Sequence, residues 1–296
     1  MKKWIPLFFI AALSLGAQEE PSRSLFDYHP IHVGGNLIRL GKADVTLRRG
    51  DKHSGNLYYR KSNAFLFMLL PISECSYFFP RVEWNTFTLA WNKNPKFHKN
   101  HYYYSQFALT FYTTSVEKWR WILRGEYNID LEHFSRPSLY GLFTGFVWGS
   151  YQIHRKWHYH VGILGYTGME GQEVYPVIGL DYAPNKKWLF QVVFPMVYAI
   201  EYNLTKNWRF SLKGRPLKER FRTGSNEPQP RSVFNYSSMG AEFNVHYEIP
   251  MRFEFEAYAG YNFGGSFYIK NRFGHNALYT DVGGSPYAGL SIDYAF

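Results

Sequence analysis

The chain has one cysteine, Cys75, so no intramolecular disulfide can hold it together. Beyond its N-terminus it has no apolar run of about 20 residues, which excludes a bundle of membrane-spanning helices. A mean hydropathy of −0.35 agrees with that exclusion. Nowhere do apolar residues recur at helical spacing, so no amphipathic helix is expected. Clustered Cys/His ligands, H-E-x-x-H and G-x-S-x-G are all missing. The pairs Gly264-Gly265 and Gly283-Gly284 lack a phosphate-loop context and read as bends. These absences point away from metal, nucleophilic and nucleotide chemistry, so no cofactor, metal or catalytic residue is expected.

Aromatic residues are abundant: 25 Tyr, 26 Phe and 9 Trp make up 20% of the 296 residues. Amphipathic rings at this density suit the two interfaces of a bilayer. The N-terminus reads as an export signal. Lys2 and Lys3 form a basic start, residues 4–15 an apolar core too short to span, and cleavage is expected after Gly16 or Ala17. Removing residues 1–17 takes the formal charge from +10 to +8, because Lys2 and Lys3 are their only charged side chains. A basic exported chain suits anionic company such as lipopolysaccharide phosphates, and nucleic acid is not expected. The expected organisation is a signal peptide at 1–17, a polar periplasmic lead-in at 18–35 and a β-domain at 36–296.

From residue 36 onward the dominant period is two, the signature of strands with one apolar and one polar face. Residues 118–130 set Trp119, Trp121, Leu123, Gly125, Tyr127 and Ile129 against Arg120, Ile122, Arg124, Glu126 and Asn128. Residues 208–215 set Trp208, Phe210 and Leu212 against Arg209, Ser211, Lys213 and Arg215. Residues 252–261 set Phe253, Phe255, Ala257 and Ala259 against Arg252, Glu254, Glu256 and Tyr258. A ring follows each of several short polar turns: Trp119, Trp157, Trp188, Trp208 and, as a variant, Phe253. Rings at that position form a girdle at one interface, which a soluble core does not need.

Short connections are expected near 71–76, 116–118, 153–156, 184–187, 205–207 and 249–251. Longer ones are expected near 50–56, 92–100, 130–138, 168–173, 217–230 and 271–284. Alternation of this kind belongs to membrane barrels, whose periplasmic turns are short and extracellular loops long. The parity closes only if Pro195-Met196 is a tight turn, since proline fits badly inside a strand. The expected architecture is an all-β, antiparallel up-and-down transmembrane barrel of about 14 strands, with 12 as the alternative.

The chain ends Ala288, Leu290, Ile292, Tyr294 and Phe296 on one face. This resembles the C-terminal signal of bacterial outer-membrane β-barrels, and the whole chain resembles such barrels of an unknown-function family. The resemblance implies that Tyr294 and Phe296 are read by the barrel-assembly machinery, that the C-terminus is periplasmic, and that outer-membrane lipids and lipopolysaccharide are the surroundings.

The polar faces place Arg120, Arg124, Glu126, His158, His160, Arg209, Lys213, Arg215, Glu242, Glu254 and Glu256 toward a lumen. His158 and His160 share one strand face, as lumen-lining residues before any catalytic role. The Asp130, Glu132 and His133 group reads as a solvated loop cluster, and the basic residues 92–100 as a loop that could meet lipopolysaccharide or a ligand. The leading functional expectation is a narrow passive pore for small solutes rather than an enzyme. A structural or surface-interaction barrel is the alternative, and a lipid-modifying enzyme using His158 and His160 comes third.

Overall fold

The computed structural model describes residues 30–47, 53–92, 98–134, 140–169, 171–249, 253–270 and 278–296. The expected signal peptide and most of the lead-in lie outside the described residues. The strands are β1 (Ile31–Leu40), β2 (Ala43–Leu47), β3 (His53–Met68), β4 (Leu70–Ser73), β5 (Ser76–Trp91) and β6 (His101–Thr113). They continue as β7 (Trp119–Asp130), β8 (Gly141–His154), β9 (Trp157–Gly168), β10 (Gly171–Asn185), β11 (Trp188–Phe194) and β12 (Val197–Asn203). The last are β13 (Trp208–Arg222), β14 (Val233–Ile249), β15 (Phe253–Lys270), β16 (Leu278–Val282) and β17 (Ser285–Ala295).

Three pairs are single staves with a break. Gly41-Lys42 divides β1 from β2, Leu69 divides β3 from β4, and Gly283-Gly284 divides β16 from β17. The result is a closed antiparallel barrel of 14 staves. Closure runs from His32↔Ala295 to Leu40↔Tyr287 and continues between β2 and β16. The Phe296 amide donates to the Ile31 carbonyl at 2.8 Å, so both ends of the barrel chain meet at one rim. Closure leaves no sheet edge there for another chain to pair with.

At the rim holding Phe296, which we call the turn end, the connections are residues 74–75, 114–118, 155–156, 186–187, 204–207 and 250–252. The opposite, loop end carries 48–52, 92–100, 131–140, 169–170, 195–196, 223–232 and 271–277. Pro195-Met196 is a tight turn, closed by the Met196 amide on the Val193 carbonyl at 2.7 Å.

Some expected boundaries move. The barrel begins at Ile31, so residues 31–35 belong to β1 rather than to the lead-in. Gly34 and Gly35 hide that strand from an alternation test, yet Gly34 is packed against β17 and the Phe65 ring. Residues 168–173 hold a tight connection rather than a long loop. Residues 271–284 contain β16. In 217–230, β13 runs on to Arg222, so the loop is only 223–232.

The faces alternate as a membrane barrel requires. On β9, Trp157, Tyr159, Val161 and Ile163 are exposed while His158, His160, Leu164 and Tyr166 are buried. Each girdle tryptophan packs on a tyrosine directly across the ladder. Trp119 meets Tyr151, Trp157 meets Tyr182, Trp188 meets Tyr202 and Trp208 meets Tyr247, with centroids 4.2–5.0 Å apart. These partners are register pairs, so the rings also pin the ladders. Phe253, on the same outward parity, is half-buried.

Candidate permeation lumen

A cavity of about 1030 Å³ occupies the barrel interior. Of the residues expected to line it, Arg120, Arg124, Glu126, His160, Arg209, Lys213, Arg215, Glu254 and Glu256 do so. His158 and Glu242 share the inward parity but are packed behind its surface, at 4% and 1% exposure. The lining holds nine basic and nine acidic side chains, so its formal charge is balanced.

Most of these charges are paired close to home. Arg124 bonds Glu126 on its own strand face at 3.0 Å, and Arg81 bonds Glu83 at 2.8 Å. Lys213 meets Glu256 at 3.1 Å, and His246 stands 3.3 Å from Glu254. Arg215 grips Glu242 with two donors while its guanidinium lies 4.1 Å over the Tyr258 ring. Buried charges persist only when paired or hydrated, which these contacts achieve.

The two expected histidines separate in role. Trp148 Nε1 donates to His160 Nδ1 at 2.9 Å, and His160 Nε2 stands 3.0 Å from Asp181 Oδ2. An indole can only donate, so His160 carries its proton on the Nε2 side, toward Asp181. Nδ1 is therefore occupied by Trp148, while Nε2 lies beside the Asp181 carboxylate without a hydrogen bond. The Asp130 group is not a free solvated cluster. Asp130 is fully buried, caps the Glu132 amide and bonds His133, which stacks on Tyr140 at 3.9 Å. Lys99 pairs with Glu132.

Sequence reasoning missed the element that shapes the lumen most. Beyond Lys213, β13 has no partner on its β12 side, because β11 and β12 are only seven residues long. There the distal half of β13 is buried on both faces. One face, Leu217, Glu219 and Phe221, reaches β3, β5 and β6. Glu219 accepts from Tyr59 at 2.8 Å and Lys61 at 3.1 Å, and Phe221 stacks on Phe87 and Tyr102 at 4.4 and 5.0 Å. A 14-stave barrel is roughly 28 Å across between backbones, from about 4.8 Å per strand and about 40° of tilt. Side chains of Tyr and Glu do not bridge that span, so the distal half of β13 folds inward across the mouth, while β14 stays paired with β15 as far as Val233↔Lys270.

The other face of β13 continues Trp208, Phe210 and Leu212, all outward, into Lys218, Arg220 and Arg222, all near-buried. Lys218 and Arg220 each bond Glu173 of β10 at 3.0 Å, and both stack on the Tyr166 ring. Arg220 lies against Gly171, where a Cβ would collide with its guanidinium. Three basic residues on a lipid-facing parity were the available signal, since charge there is costly in hydrocarbon. The hairpin's aromatic residues Phe221, Phe234 and Tyr236 join a buried hydrophobic cluster toward the loop end.

Comparison with known proteins agrees with this architecture. The chain is 20% identical over 256 residues, 81% of its length and 80% of the relative's, to an "Uncharacterized protein" of Chlamydia trachomatis serovar D. It is 24% identical over 202 residues to a second such protein, from Chlamydia pneumoniae, covering 63% of each chain. The COG4313 outer membrane channel from Pseudomonas putida F1 superposes with a TM-score of 0.52 at 7% identity, over 94% of this chain and all of that one. The fold is thus that of an outer-membrane barrel. A family model matches residues 90–294, and the chain belongs to that family, described as a domain of unknown function, DUF6268.

Proposed function

We propose that this protein is an outer-membrane channel for small solutes, with its termini in the periplasm and the distal half of β13 as its constriction. The observation that carries the reading is the charge-lined cavity of about 1030 Å³ inside a closed barrel. Nine acidic against nine basic lining residues favour weak ion selectivity rather than the anion preference that the chain's net charge suggests. The shorter connections at the turn end and the girdle rings beside them support periplasmic termini. Tyr294 and Phe296, packed edge-on at 4.8 Å at that rim, are the proposed mark for the assembly machinery.

The test is single-channel recording in planar bilayers, with reversal potentials in a KCl gradient. Brief openings with a cation-to-anion permeability ratio near unity support the proposal. Silence from both the full chain and a chain lacking the distal hairpin overturns it. The second reading, a surface-interaction barrel without transport, is favoured by the buried cluster toward the loop end and predicts that silence. A lipid-modifying role for His158 and His160 has less support, because Trp148 occupies His160 Nδ1 and neither histidine is exposed.

A further inference from the structure

The wall beside the distal half of β13 is incomplete. β10 pairs with β11 only from Ile178 toward Asn185, so Gly171–Val177 has a ladder on its β9 side alone. Across the tip of the β11–β12 turn, β13 beyond Lys213 pairs with β14 alone. Two unpaired edges therefore face each other over a notch. Each carries a proline, Pro176 and Pro216. Proline is confined to edges and breaks in sheets because it cannot donate to a ladder.

The outer surface around the notch is apolar. Just outside it are Val174 at 72% exposure and Ile178 at 63%, with Val192 and Leu212 below. An open sheet edge facing hydrocarbon is costly, and it is tolerated where the backbone lines a cavity or is covered by protein. Here the cover is the Lys218 and Arg220 side chains, each 4% exposed and held by Glu173, with Arg220 also donating to the Gly168 carbonyl at 3.3 Å. Immediately inside the notch the inner wall is apolar. Phe146, Leu164, Val177, Val193 and Met196 form a separate buried cluster at the tip of the short hairpin. Of these five, Met196 lines the cavity.

We infer that the notch is a lateral port, through which a small apolar molecule passes between the lumen and the membrane, with the Glu173 pairs as its latch. The inference rests on the channel reading and adds to it a solute class and a second route. A polar ion gains nothing from an exit into hydrocarbon, whereas an apolar molecule moves from Met196 and Val177 to lipid without crossing the aromatic cluster at the mouth.

Two readouts separate the routes. The first is the rate of 1-N-phenylnaphthylamine uptake by a Gram-negative host carrying the full chain, compared with the empty host. The second is KCl conductance in planar bilayers. Met196→Trp, and the milder Val177→Phe, fill the port from inside; a heat-modifiable gel shift confirms that each variant folds. The expected result is dye uptake lowered at least five-fold toward the empty host, with KCl conductance kept within about two-fold. Glu173→Gln is expected to raise dye uptake. Unchanged dye uptake in both filled variants overturns the port, as does an equal fall in dye uptake and conductance, which means one shared axial route. Dye uptake with no KCl conductance leaves the port standing and removes the ion channel.

Discussion

Two neighbouring hairpins, β11–β12 and β13–β14, are built from the same alternating pattern but end at different heights. The first spans seven residues a side and turns at Pro195-Met196 within the wall. The second spans 15 and 17 residues and continues past its neighbour. A strand that loses its lateral partner must find cover for its backbone. β13 finds it inside the barrel, where its inward parity meets β3, β5 and β6 and its outward parity meets β9 and β10. The mismatch in length thus produces both the constriction at the mouth and the notch in the wall.

The largest expected effect comes from abolishing the mismatch. Deleting residues 217–238 leaves Pro216↔Met239 as the last pair, brings the two hairpins to similar height and takes the β14 partner from Gly265–Lys270 of β15. Conductance in planar bilayers is expected to rise roughly ten-fold, since about 14 staves then enclose an unobstructed lumen. An unchanged conductance from a folded barrel breaks the comparison. Next, Phe221→Ala removes the ring that stacks on Phe87 and Tyr102, and is expected to cost roughly 3–5 kcal/mol in guanidinium unfolding from liposomes. The same substitution at an exposed ring of the shorter hairpin, Phe190, is expected to cost much less.

Glu173→Ala leaves Lys218 and Arg220, each with a side chain 4% exposed, without their shared carboxylate. The expected loss is about 3 kcal/mol, at the low end for a buried pair because Glu173 itself is 28% exposed. Trypsin cleavage after Arg222 or Arg231 should become faster, and unchanged cleavage would show that the latch does not hold the hairpin. The smallest effect is at the girdle. Trp208→Ala removes one cross-ladder ring pair, worth roughly 1 kcal/mol beyond the area lost, and should leave conductance as it was.

Most of the wall was legible in the chain because period-two alternation and turn chemistry are local. Lys118-Trp119, Pro195-Met196 and the terminal Phe296 sufficed for the staves, their parity and their closure. The strand at Ile31 was not legible, because its Gly34-Gly35 pair has no side chains to alternate. The inward fold of distal β13 was not legible for a different reason. Lys218, Glu219 and Arg220 read as a polar loop, and only the partners across the lumen, Tyr59, Lys61 and Glu173, show that they are packed. Lumen-facing positions such as Arg120 and Glu254 followed from parity alone. Their pairing did not, since Lys213–Glu256 and Arg215–Glu242 depend on register between strands.

The central claim is that β13 crosses the mouth to the opposite wall. Paired cysteines at Phe221→Cys and Tyr102→Cys, in a Cys75→Ser background that leaves no other thiol, test it directly. The rings they replace lie 5.0 Å apart. The account predicts a disulfide under mild oxidation of the folded barrel in liposomes, read as a reducible gel shift. Failure to cross-link, together with rapid labelling of the position-221 thiol by a membrane-impermeant maleimide, would place residue 221 in an external loop and contradict it.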